Sequence, residues 1–339
     1  MPIKEFNPTI LNQTQDRLNQ LTKPLGSLGR LEQLAIQLAG ITGQAFPVVE
    51  KPAIIVAAAD HGITVEGVSA FPQEVTALMV ENFARGGAAI NVFAKQIGAE
   101  VAVIDVGVNA DISSQPIVHE KIRYGTRNFL VEDAMTEEEA SAAIIVGKKT
   151  ASDYIERGHG LLITGEMGIG NTSASSAVIA ALTGEPVEKV VGIGTGLTEP
   201  ERLKKVNVIK QAIANREIKK NTSPLSVLAK VGGLEIATLV GVILEGAEKQ
   251  KPVLIDGFIS TAAALVALKL EPAIQPYLMI AHQSAEAGHE WLVNYLQVNP
   301  ILKLDLRLGE GTGAALAYPI VEAASRILRE MATFKDLGL

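Results

Sequence analysis

Glu310 is a lone carboxylate inside a run of glycines, Arg307-Leu308-Gly309-Glu310-Gly311-Thr312-Gly313. The run follows an alternating apolar segment, residues 301–308, and precedes an apolar helix-like segment that ends near Leu328. A strand that breaks into glycines and restarts as a helix presents backbone N–H groups where the helix begins, and such a loop suits an anion. A negative side chain in that position points to chemistry beyond anion binding. A dry apolar pocket would raise its pKa toward the range of a general base. The plainer alternative is an acidic residue favoured by the helix dipole.

A second turn, Gly168-Ile169-Gly170-Asn171-Thr172-Ser173, follows a candidate strand and opens a small-residue helix over residues 174–182. Glycine lets the backbone approach a phosphate, and Asn, Thr and Ser can cap the helix or donate to the anion. An ordinary capped strand-to-helix turn has the same pattern, and no Gly-Lys-Ser/Thr follows to make it a Walker loop. A third turn, Gly192-Ile193-Gly194-Thr195-Gly196, lacks the third glycine of the dinucleotide fingerprint. Lys205 is placed either to reach a phosphate or to sit solvated on a helix. Asp60-His61-Gly62 reads as an acid/base pair or as a structural turn. His282, Glu286 and His289, at i, i+4 and i+7, could line one helix face as metal ligands, and Ser284 beside His282 could suggest a hydrolase. Neither the Gly-x-Ser-x-Gly elbow nor the His-Glu-x-x-His spacing accompanies them.

These residues need a scaffold, and the surrounding pattern is an alternation of strands and helices. Candidate strands are residues 53–59, 101–106, 160–164, 190–193, 253–255, 277–281 and 302–308. Polar and glycine residues collect after each: Asp60-His61-Gly62, Gly107, Gly165-Glu166-Met167, Gly194-Thr195-Gly196, Asp256-Gly257, His282-Gln283-Ser284 and Gly309-Glu310-Gly311. In an open parallel sheet the ligand sits beyond the carboxyl ends of the strands, so one site assembled from several loops is expected. Residues 9–20 and 30–40 carry helical spacing, as do residues 314–331 at the other end. Packed together, the two ends would form a small second unit.

Composition narrows the classes. The 339 residues suffice for one large domain with an annex, and Ala, Ile, Val, Leu and Gly dominate the core, as in a buried parallel sheet covered by helices. The net charge of −7 and the absence of a basic stripe argue against nucleic acid as a partner. There is no cysteine, which removes disulfides, thiolate catalysis and cysteine metal sites. The polar N-terminal stretch is unlike a secretory signal, and no apolar run reaches the roughly 20 residues of a membrane span. A cytoplasmic protein with no membrane partner is the expectation.

Taken together with Lys23-Pro24-Leu25-Gly26-Ser27-Leu28-Gly29-Arg30-Leu31-Glu32, Arg85-Gly86-Gly87-Ala88-Ala89, Lys230-Val231-Gly232-Gly233 and Asp256-Gly257-Phe258-Ile259-Ser260, the two principal glycine loops resemble one family. That family is the nicotinate-nucleotide:dimethylbenzimidazole phosphoribosyltransferases of cobalamin lower-ligand synthesis, and the likeness runs in order from about Leu21 to Ala324. It implies an α/β fold: a Rossmann-like parallel sheet in a large domain, residues 48–312, and a small helical domain from residues 1–47 plus 313–339. It also implies a homodimer, with nicotinate mononucleotide and 5,6-dimethylbenzimidazole as substrates and neither metal nor organic cofactor. Glu310 matches the catalytic glutamate. Gly168, Ile169, Gly170, Asn171, Thr172 and Lys205 match phosphate-binding positions, and Glu166, Gly194, Thr195 and Ser284 fall on segments that face the nucleotide. The base pocket matches residues 68–79 with Leu308. Phe71 and Met79 stand there where some members carry serine and glutamine.

Overall fold

The computed structural model describes residues 2–194 and 196–339. Six strands form one parallel sheet: β1 (Pro52–Ala59), β2 (Glu100–Gly107), β3 (Ile117–His119), β4 (Leu161–Met167), β5 (Val253–Ile255) and β6 (Met279–Ile280). Their order is β3-β2-β1-β4-β5-β6, the doubly wound arrangement. β1 is buried along its whole length because β2 and β4 flank it and helices cover both faces, so Pro-Ala-Ile-Ile-Val-Ala-Ala-Ala shows no polar alternation. The α/β class read from the sequence is what the chain adopts. No helix among the described residues is long and apolar enough to cross a membrane.

Two expected strands are corrected. Residues 190–193 do not pair: Pro186 caps a four-residue helix, Val187–Val190, and a loop follows. Residues 302–308 run beside β6 without becoming a seventh strand. Leu302 bridges His282, and the Ala285 N–H donates to the Leu306 carbonyl at 2.9 Å, but Asp305 turns left-handed (φ 55°) and interrupts the ladder. β3 escaped notice because only three residues long, with a single buried side chain, it carries no readable period.

Helices from both chain ends lie against each other. The Arg17 guanidinium in Pro8–Gln20 donates to the Leu328 and Met331 carbonyls at 3.0 and 2.8 Å, tying it to the end of Thr312–Glu330. Leu21 and Thr333 form an antiparallel bridge beside it. Leu34, Leu38 and Ile41 of Arg30–Thr42 join Val321 and Leu328 in a core continuous with that of the sheet.

Candidate active site

Strand order reverses between β1 and β4, so the chain leaves these two neighbours toward opposite sides and opens a crevice beyond their carboxyl ends. The turn at residues 168–170 lies in that crevice. The helix Asn171–Thr183 starts from Gly170 at φ 99°, and no side chain caps it. The positive end of its dipole therefore faces the crevice. Lys205, from the helix Glu199–Asn215, is 1% exposed and donates from Nζ to Thr172 Oγ1 at 2.8 Å. Among the described residues no carboxylate lies within ion-pair distance of it, and burial pushes its pKa down to about 8. Arg307 donates to the Gly194 carbonyl at 3.0 Å, closing the same corner. Thr195 lies outside the described residues.

The Gly309-Glu310-Gly311 loop is left-handed at three successive residues, φ 86°, 65° and 92°. That path presses it onto β4: a Cβ at Gly309 would stand 2.2 Å from Glu166 Oε1, and one at Gly165 2.4 Å from the Glu310 carbonyl oxygen. The N–H groups expected to face an anion here are already taken. Asp256, just beyond β5, accepts from Gly311 at 3.3 Å and from Ala314 at 2.9 Å, capping the helix Thr312–Glu330 internally. In the turn at residues 168–172 the Ile169 N–H donates to Thr76 Oγ1 at 3.0 Å and the Asn171 N–H to the Gly168 carbonyl at 3.1 Å, so what it offers an anion is the helix dipole and the remaining N–H groups.

Glu310 is buried, and its Oε2 accepts from the Ile90 N–H at 3.2 Å, at the start of the helix Ala89–Ile97. Burial raises its pKa above the usual carboxylate range; the Ile90 N–H opposes that shift and the Asp256 carboxylate adds to it. Glu166 is pushed further, to about 8, by burial and by Asp256 and Glu235, against hydrogen bonds from the Asn171 amide and the Glu310 backbone. Glu166 thus holds its proton to higher pH than an exposed glutamate, while Asp256 is itself raised by burial.

One cavity of about 610 Å³ joins these groups. Glu310, Glu166, Gly168, Ile169, Asn171 and Thr172 line it, as do Gly194 and Ser284. Phe71, Met79 and Leu308 form an apolar wall, with Phe71 and Leu308 half-exposed at its mouth. Gly170 and Lys205 stand behind the lining, Lys205 acting through Thr172. Asp256 and His282, in two of the strand-end loops expected to build the site, also line the cavity, as do Glu286 and Arg307. For Asp256 the signal is an acidic residue directly after a strand.

Two other sequence motifs resolve differently. His61 and Glu235 form a fully buried pair, Nε2 to Oε1 2.6 Å, beneath the glycine turn. His282, Glu286 and His289 do not share a helix face, because the helix Ala287–Tyr295 begins only after Glu286. Both His289 ring nitrogens are engaged, by the Ser284 N–H and the Thr261 hydroxyl. No group of three or more metal-binding side chains occurs among the described residues.

Known proteins resemble the chain from end to end. A family model described as phosphoribosyltransferase matches residues 3–339. The nicotinate-nucleotide–dimethylbenzimidazole phosphoribosyltransferase of Chloroflexus aggregans is 52% identical over 339 residues, covering 100% of this chain and 95% of the relative. The protein of the same name from Halalkalibacterium halodurans is 50% identical over 337 residues, covering 99% and 94%. The crystal structure of CobT from Thermus thermophilus superposes with a TM-score of 0.94 at 46% identity, covering 98% of this chain and 99% of that one. With a shared fold and about half of all positions identical from end to end, the chain belongs to the nicotinate-nucleotide–dimethylbenzimidazole phosphoribosyltransferase family.

Proposed function

We infer that the protein transfers the 5-phosphoribosyl group of nicotinate mononucleotide to 5,6-dimethylbenzimidazole, giving α-ribazole 5′-phosphate and nicotinate in assembly of the cobalamin lower ligand. One observation carries the site assignment: a buried carboxylate, Glu310, shares a cavity with an apolar wall and an uncapped helix N-terminus backed by a buried lysine. Those are the three things the reaction asks for.

The phosphate docks at the helix N-terminus beyond the turn at residues 168–172, with Thr172 beside it and Lys205 behind Thr172. The flat base stands against Phe71, Met79 and Leu308. Its attacking nitrogen forms the new bond to the ribose anomeric carbon from the face opposite the departing pyridine, which inverts that centre. Nicotinate leaves with the electron pair of the broken C–N bond as a neutral ring, so departure needs little acid. Nucleophilicity is the shortage. Glu310 accepts the proton of the second benzimidazole nitrogen as the new bond forms, a contribution of about 10²–10⁴-fold. Holding both rings on one ribose adds a proximity term. Glu166, Gly194 and Ser284, which line the cavity, face the nucleotide.

We read residues 48–312 as the domain that carries this site and residues 1–47 plus 313–339 as the helical domain that anchors the last glycine loop. The working unit is a homodimer in the cytoplasm. Incubating the purified protein with nicotinate mononucleotide and a panel of benzimidazoles tests the reading: nicotinate release is expected, and no release with any base overturns it.

A further inference from the structure

We propose that His289 is a positioning residue that clips the loops after β5 and β6 together, fixing Gly257 and Ser284 in the cavity wall. The proposal builds on the transferase reading of that cavity. β5 and β6 are only three and two residues long and share two register pairs, so the ladder gives little support to the loops that follow. Those loops nonetheless press closely: a Cβ at Gly257 would stand 2.9 Å from His282 Nε2 and 3.5 Å from Ser284 Cβ.

His289 holds them from behind. It is fully buried, and its Nδ1 accepts from the Ser284 N–H at 2.7 Å. Nδ1 therefore carries no proton. Nε2 lies 2.9 Å from Thr261 Oγ1, whose own hydrogen goes to the Gly257 carbonyl at 2.8 Å. The hydroxyl has one proton and spends it on Gly257, so Nε2–H must donate to it. One neutral tautomer thus completes a chain from the Ser284 backbone through imidazole and hydroxyl to the Gly257 backbone. Phe258 packs edge-on against the ring, centroids 6.4 Å apart, and holds its orientation. The neutral ring offers one acceptor and one donor on different sides, which is what the Ser284 N–H and the Thr261 oxygen require.

Kinetics and spectroscopy test it separately. His289→Leu should raise KM for nicotinate mononucleotide about 10-fold or more while KM for the base moves less than about 3-fold. His289→Asn, whose Oδ1 can still accept from Ser284, should fall between, and Thr261→Val should reproduce the nucleotide-specific rise. Equal rises in both KM values would overturn the proposal, as would no change in either. On the intact wild-type protein labelled with ¹⁵N-histidine, the signal lost in His289→Asn should show an Nε2–H tautomer at neutral pH. An Nδ1–H or doubly protonated ring there would overturn the clip. If the wild-type protein releases no nicotinate, the transferase reading falls, and the tautomer still decides the clip.

Discussion

The Ile90 backbone N–H donates to Glu310 Oε2 at 3.2 Å, joining the start of one helix to the carboxylate just before another. This bond divides the carboxylate between two tasks. Oε2 is held by a helix N-terminus, whose positive end favours the ionised form, and Oε1 is left for an incoming ring N–H. Burial and Asp256 push the other way and make the group more basic than a surface glutamate. It also explains why Arg85-Gly86-Gly87-Ala88-Ala89 belongs with the glycine loop: Ala88 has no side-chain acceptor for this helix start, and Glu310 supplies one. Glu310→Gln keeps an acceptor for Ile90 but cannot take the proton. Turnover should fall by about 10² or more with nucleotide affinity unchanged, measured by nicotinate release and calorimetry. Full turnover in this variant would remove the mechanism.

Glu310 holds its position at φ 65°, where a β-carbon is crowded. The left-handed region costs a non-glycine residue about 1–2 kcal/mol, and glycine's extra freedom when unfolded returns about 0.4–1. Glu310→Gly should therefore be more stable than Glu310→Ala by about 0.5–1 kcal/mol, since both lose the bond to Ile90 alike. Denaturant unfolding of the pair measures it. Equal stability would mean the loop stores no strain at this residue.

Lys205 offers a test by proton counting. Burial lowers its folded pKa from 10.5 to about 8, so near pH 8 a large part is neutral. A bound phosphate dianion favours the cation and pulls the pKa back up. Nucleotide binding should then take up protons around pH 8, and affinity should decline as pH rises through that value. Titrations in buffers of different ionisation enthalpy read the uptake directly, and Lys205→Met should abolish it. Binding heats independent of buffer in the wild-type protein would exclude Lys205 from the phosphate site.

Glu166 predicts a pH-dependent stability of the unusual sign. Its folded pKa is raised from 4.5 to about 8, so between these values the folded chain binds more protons than the unfolded one. Stability then falls as pH rises across that window and levels off above it. Glu166→Gln preserves an acceptor for the Asn171 amide and has no proton to lose. Its Tm should vary less steeply between pH 5 and 8 than that of the wild-type protein, and parallel curves would contradict a buried neutral Glu166.

Much of this site was legible in the chain because the strand ends announce themselves. The turn at residues 168–173 and the loop around Glu310 are runs of glycine after apolar segments, and both reach the same cavity. What was illegible depends on partners distant in sequence. Nothing near Asp256 says that it caps the helix at Thr312, and nothing near Ile90 names Glu310. The spacing of His282, Glu286 and His289 misled because it presumes a helix, whereas only His289 lies on one. Residues 302–308 alternate like a strand, yet a single left-handed Asp305 keeps them out of the sheet.

With the base docked against the apolar wall as proposed, that wall should set which base the protein prefers. Phe71 and Met79 face the cavity with Leu308, so the wall offers carbon and sulfur where polar side chains would offer hydrogen bonds. Each ring methyl buried against such a wall contributes about 0.8 kcal/mol, close to a factor of four in affinity. Phe71 is half-exposed at the mouth and can bury only part of one methyl, while the partly buried Met79 packs against the core. Met79→Gln should therefore reduce the preference for 5,6-dimethylbenzimidazole over benzimidazole more than Phe71→Ser does. The expected losses are about four-fold and about two-fold in the ratio of kcat/KM values, read from competition between the two bases at one nucleotide concentration. Hydroxylated or purine bases should gain in the Met79→Gln variant, because the new amide supplies the partner that the apolar wall lacks. If both variants keep the wild-type ratio, the methyl groups dock elsewhere in the cavity.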